Sequence, residues 1–294
     1  MKPAVLFETL FDVLYLSTIL FLGFRMLLRK SSNKEYRLFS YMCLILGFGD
    51  CFHLLPRAYG LNMGKTEAVI AAIGIGNAVS SIGMAVFYVI MFELISLHYK
   101  QSFNVLRWAT YILFALRVIF VLLPQNDWIH NTHDPLMSWL RNIPFILIGV
   151  IVDVLLFLYS RKEATDPLRG MWFWVLVSFG CYMPVALIHL GGMKDALLMI
   201  VKTIAYIMIV VTGYLRIPCD EKIELIFHVC FVTMLLLNSD FPVFSTKIQI
   251  ITRYVYIFII LFMILCQNQA QAKVQSIQYR YIYISCLTLV FGCR

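Results

Sequence analysis

The stretch Ala68–Leu97, AVIAAIGIGNAVSSIGMAVFYVIMFELISL, decides the fold class. It carries no charged residue before Glu93. It also exceeds the roughly 20 apolar residues that a helix needs to cross a bilayer. Six similar runs flank it: Ala4–Leu28, Leu38–Tyr59, Val105–Leu123, Met137–Tyr159, Met171–Leu190 and Ala196–Ile217. The connections between them are short and polar. Across all 294 residues, 61% are hydrophobic and only 14% are charged. A soluble domain carries about a quarter of its residues charged, so this chain cannot coat itself in water. The bilayer is its solvent and its first partner. The expected fold is all-α, a polytopic transmembrane helical bundle with a seven-helix core over residues 1–217.

The net charge of +8 has a membrane explanation. Arg25, Arg29, Lys30, Lys34 and Arg37 surround the first connection, Lys100 and Arg107 the third, and Arg161, Lys162 and Arg169 the fifth. The alternate connections hold only Lys65, no basic residue, and Lys194. Basic residues concentrate on the cytoplasmic side of membrane proteins, which places the N-terminus outside. Anionic lipid suffices as a partner for these loops, and no nucleic-acid partner is inferred. The first apolar run is too long for a signal peptide, carries Glu8 and Asp12, and shows no small-residue cleavage site, so it is read as a retained helix. Of the eight cysteines, Cys43, Cys51, Cys181, Cys230, Cys266 and Cys286 lie in apolar runs. They read as small buried residues.

Beyond Pro218 the composition changes. Of 15 glycines only Gly292 lies there, while glutamine becomes frequent. Residues 218–294 form a C-terminal hydrophobic tail with three further runs, near Ile223–Leu237, Ile250–Cys266 and Tyr279–Cys293. They read either as up to three short additional helices or as an appended tail.

Ionisable residues inside spanning helices are costly and point to function. The second run contains Asp50, His53 and Arg57. Their spacings of three and four place them on one helical face, where they would compensate one another. Pro56 is expected to loosen the last turn and free backbone carbonyls. Asp12 and Glu8, Asn77 with Ser80 and Ser81, Arg117, Arg141 with Asn142, His189 and Lys202 fall at similar depth, in the outer half. Glu93 and Asp153 lie deeper. A polar site opening outward follows, with Asp12, Asp50, His53, Arg57, Asn77 and Lys202 as its ligand-binding candidates. Lys202 stands out, because a lone lysine at that depth needs a partner or a shifted pKa.

Each residue also has a structural reading. Arg57, Arg117 and Arg141 can snorkel to headgroups. Asp50, His53 and Arg57 can be an ion cluster that fixes packing. Ala72, Gly76 and Ser80 form a small-xxx-small face suited to close helix contact. The loop Asp127–Asp134, with His130 and His133, reads as solvated more readily than as a metal or pH site. His98 and His228 show no partner.

Walker, GxGxxG, GxSxG and HExxH motifs are absent, so chemistry would have to be intramembrane. The favoured function is non-enzymatic: a small-ligand sensor or transporter for an ionic or lipid ligand, needing no cofactor, in the plasma membrane. A sensor would need a partner protein to carry its signal inward. The alternative is a metal-dependent intramembrane hydrolase acting on lipids, with Asp50, His53 and His189 holding zinc and a water. The helix count and the Asp50/His53 pair resemble the superfamily joining alkaline ceramidases and the adiponectin receptors. The resemblance implies a histidine-held zinc with a nearby aspartate. That family's paired HxxxH on the last helix has no counterpart in Ala196–Ile217. Lys202 resembles the Schiff-base lysine of microbial rhodopsins, but the third run lacks a carboxylate at mid-depth. A purely structural subunit would have little reason to keep so many ionisable groups.

Overall fold

In a computed structural model, residues 3–28, 33–131, 134–188 and 191–217 are described. All belong to the first of two units into which the chain divides, Met1–Cys219. The expectations for residues 218–294, for His133, for His189 and for His228 fall outside the described residues.

The described residues form seven α-helices and no strand: α1 Pro3–Leu28, α2 Lys34–Met63, α3 Glu67–His98, α4 Asn104–Leu122, α5 Pro135–Ser160, α6 Met171–Leu187 and α7 Met193–Arg216. Six of them are long and apolar enough to cross a membrane. The exception is α6, which at 17 residues sits at the lower limit for a span.

Local chemistry sets the boundaries. Asn33 caps α2 by accepting from Glu35 N at 2.8 Å, which starts the helix before Leu38. Asp134 caps α5 in the same way, accepting from Leu136 N at 2.9 Å, with Pro135 at the first helical position. Thr66 caps α3. Pro56 does not loosen the end of α2, contrary to expectation. The helix continues to Met63. Its missing N–H leaves the Phe52 carbonyl without a helical donor, and α3 brings Gly76 directly against that carbonyl. Any Cβ at Gly76 would collide with the α2 backbone.

Gly49 and Gly83 meet similarly, a Cβ on Gly49 standing 3.5 Å from the Gly83 Cα. The small-residue face therefore packs α3 on α2, the most extensive helix contact in the bundle. α3 also touches α4 and α5, while α1 touches both α2 and α7. Met84, Phe87, Tyr88, Met91, Phe92 and Ile95 of α3 are buried.

The outward faces are apolar. On α4, Val105, Trp108, Ile112, Ile119 and Leu122 are all exposed, at helical spacing. An unbroken greasy face of this kind suits lipid and not water. The described chain is thus a membrane-type helical protein.

Candidate functional site

α1, α2, α3 and α7 bring their polar groups together in the half of the bundle where α1 begins. Asp50 is buried on α2. Its Oδ2 accepts from Tyr15 Oη of α1 at 2.6 Å, and its Oδ1 accepts from Ser80 Oγ of α3 at 2.6 Å. Asp12 is buried one turn before Tyr15 and within electrostatic reach of Asp50. Its Oδ2 has no hydrogen-bond partner among the described residues. His53 is within electrostatic reach of both Asp50 and Lys202, and its Nδ1 is buried without a partner among the described residues.

Lys202 contributes from α7. Its Nζ lies 3.4 Å from Met84 Sδ, 5.0 Å from the Tyr182 ring centroid and 5.4 Å from that of Tyr206. Among the described residues no carboxylate comes within ion-pair distance of it. The ammonium is held by sulfur and ring faces, weak substitutes for a counter-ion.

The stripe Asp50–His53–Arg57 does not close on itself. Arg57 pairs with Glu8 of α1. Asp50 is engaged by hydroxyls from two other helices. One face of α2 supplies three charges, and neighbouring helices divide them. Asn77 is half-buried on α3, and no hydrogen bond of its side chain appears among those described. Of the three donors of the zinc alternative, Asp50 and His53 lie within the described residues and His189 outside them. Both Asp50 oxygens carry hydroxyl donors, and the described residues contain no group of three or more His, Cys, Asp or Glu placed to hold a metal.

A second polar group lies nearby among α4, α5 and α6. Arg117 is fully buried, so it does not snorkel. Its Nη1 donates to Asn142 Oδ1 at 2.8 Å and to the Arg141 carbonyl, and its guanidinium lies 5.0 Å from the Phe145 ring centroid. Tyr182 Oη donates to the same Asn142 oxygen at 2.8 Å. Arg141 instead faces the loop, donating to Asn126 Oδ1 and Ser138 Oγ at 2.7 and 2.9 Å.

The loop after α4 is only partly solvated. Asn126 is buried and donates to the Phe120 and Leu123 carbonyls, closing the end of α4. The Trp128 backbone packs on Gly74. The exposed portion is His130, paired with Asp127 at 2.7 Å.

At the opposite, basic end, sequence reasoning missed a cluster. His98 Nδ1 lies 2.9 Å from Glu35 Oε2, and its Nε2 lies 3.6 Å from Asp166 Oδ1. Tyr99 Oη donates to Asp166 Oδ2 at 2.8 Å, and Leu168 N donates to Asp166 Oδ1 at 2.7 Å. Burial alone would raise the Asp166 carboxyl, but the bonds from His98, Tyr99 and Leu168 outweigh it and hold it below the usual carboxylate range. Burial and the Asp166 carboxylate push the Tyr99 phenol well above its ordinary value. His98 therefore has partners, against expectation. Glu93 also pairs, with Arg107 Nε at 2.9 Å and Tyr111 Oη at 2.8 Å.

Comparison with protein-family models, with curated proteins and with solved structures finds no match for this chain.

Proposed function

We propose that the chain is a multi-pass protein of the plasma membrane, with a seven-helix core, its N-terminus outside and its basic end inside. It admits a small ionic solute from the outer side to the polar site between α1, α2, α3 and α7, as a sensor or transporter. Lys202 carries this reading, because a part-buried cation without a carboxylate partner among the described residues is an incomplete arrangement. Asp50, held by Tyr15 and Ser80, keeps lone pairs for a further donor. His53 stands between them electrostatically, with one ring nitrogen unengaged among the described residues. An anion, a cation and an imidazole that lies within electrostatic reach of both can bind a charged solute or pass it a proton.

The test is a thermal-stability screen of the purified full-length protein against small cations, anions and zwitterions. One class should stabilise the wild type by several degrees and should fail to stabilise Asp50→Asn and Lys202→Met. A response that survives both substitutions would remove the site from this place. Labelling of single cysteines at position 65 and position 163 from outside intact cells tests the orientation. Only position 65 should react.

A further inference from the structure

Arg117 is a fully buried cation with three of its five N–H donors unengaged among the described residues. Nη1 is engaged by Asn142 and the Arg141 carbonyl. Nε and Nη2 are buried without a hydrogen-bond partner among the described residues, and no described carboxylate forms an ion pair with the group. A tie between α4 and α5 needs only Nη1. It does not explain why the remaining edge has no hydrogen-bond partner among the described residues. Nε–H and one Nη2–H point in parallel from that edge, the two-donor geometry that matches the two oxygens of a carboxylate.

The surroundings agree. Tyr182 places its hydroxyl on the Asn142 oxygen that Arg117 also uses. Lys202 lies 5.0 Å from the centroid of the same Tyr182 ring. Tyr206, against which Lys202 also rests, is within electrostatic reach of Arg117. Two cations thus border one aromatic wall, and neither has an anionic partner among the described residues. Breaking up or omitting the counter-ion of a buried charge is strongly unfavourable, and a ligand that brings an anion would relieve both. Arg117 is closed off while Lys202 is part-exposed, so a solute would have to reach Arg117 from the α7 side.

We propose that Arg117, Lys202 and Tyr182 bind the carboxylate of a small solute, gripped side-on by Arg117 Nε–H and Nη2–H. This deepens the reading given above and rests on it through Lys202, which both share. It assigns the anionic end of the solute to α4 and α7.

Equilibrium binding of radiolabelled benzoate to purified full-length protein, at constant ionic strength in chloride, tests this. Benzoate joins a carboxylate to a flat ring suited to the aromatic wall. Saturable binding is expected in the wild type. Arg117→Lys keeps the charge but loses the two-donor edge, and it should weaken binding at least tenfold. Asn142→Asp gives Arg117 a carboxylate within the chain. It should abolish binding while melting no lower than wild type, so lost binding is not lost fold. Absence of saturable binding in the wild type, or binding undiminished in both variants, would overturn the proposal. Binding untouched by Lys202→Met would overturn it as well. Binding abolished by Asn142→Asp and weakened by Lys202→Met, but untouched by Asp50→Asn, would keep the carboxylate site and remove Asp50 and the α1–α2–α3 side of the reading above. A solute that needs Asp50 and Lys202, with no benzoate binding, would do the reverse.

Discussion

The basic end of the bundle pairs its ionised groups more fully than the other half, where Glu8 and Arg57 pair but several groups do not. At the basic end His98 bridges Glu35 and Asp166, Tyr99 and Leu168 N complete Asp166, and Arg107 meets Glu93. Each of these groups has a partner, and apart from Leu168 N, which lies in the same loop as Asp166, the partners come from different elements. In the other half, Lys202 rests on sulfur and rings, Arg117 leaves one edge unengaged, and Asp12 and His53 each keep a buried atom without a partner among the described residues. Completed networks hold a fold together, whereas incomplete ones cost stability. The first region reads as a latch, and the second is where a site is proposed.

The largest expected effect breaks the support that both regions share. Gly76→Ala forces a methyl group into the α2 backbone at Phe52. It should destabilise the bundle by about 3 kcal/mol, the upper end for overpacking. It should also weaken any solute response, because α3 carries Ser80 to Asp50. Thermal unfolding in detergent, read by circular dichroism, checks this.

Next comes the latch. Asp166→Asn keeps the shape but removes the charge that accepts from Tyr99 and Leu168 and faces His98. A loss of about 2 kcal/mol is expected, in the range for hydrogen bonds to a charged group. The same residue predicts a pH dependence. Its carboxyl is held below the usual range, so its contribution is fully present above the unfolded aspartate value of about 4. That contribution fades as pH falls through the lower folded value. Melting of the wild type should therefore drop toward the Asp166→Asn value on acidification below about pH 4, while the variant lacks that component. A parallel decline of the two would remove Asp166 from the latch.

The smallest effect is expected at the pair Arg107–Glu93, whose side chains are both about one-third exposed. Arg107→Gln should cost no more than about 1 kcal/mol, and less at high salt.

Much of the architecture was legible because a bilayer imposes long apolar runs. The seven runs match the seven helices to within a few residues, and Pro184 with the turn at Ile188 ends α6 short of Leu190. The small-residue face Ala72–Gly76–Ser80 correctly announced close packing. Lys202 was legible as a solitary charge.

Its neighbours were not. Tyr15 looks like any apolar-segment tyrosine until α1 and α2 pair and its hydroxyl reaches Asp50. His98 finds Glu35 and Asp166 only through the folding together of helix ends distant along the chain. Helical spacing placed Asp50, His53 and Arg57 on one face. It could not say that Tyr15, Ser80 and Glu8 would take two of them. Arg117 sits near a helix end, where a snorkelling path exists on paper, yet packing against α5 and α6 closes that path.

The contrast between latch and site turns on Lys202. Replacing it with Met removes a charge that lacks a carboxylate partner among the described residues, at the loss of two ring contacts worth about 0.5–1 kcal/mol each. The most direct measurement is the unfolding midpoint of Lys202→Met beside that of Asp166→Asn. Lys202→Met should melt above wild type, by about 1 kcal/mol of added stability, while Asp166→Asn should melt below it. A fall in the Lys202→Met midpoint as deep as that of Asp166→Asn would contradict the account and make Lys202 a structural partner.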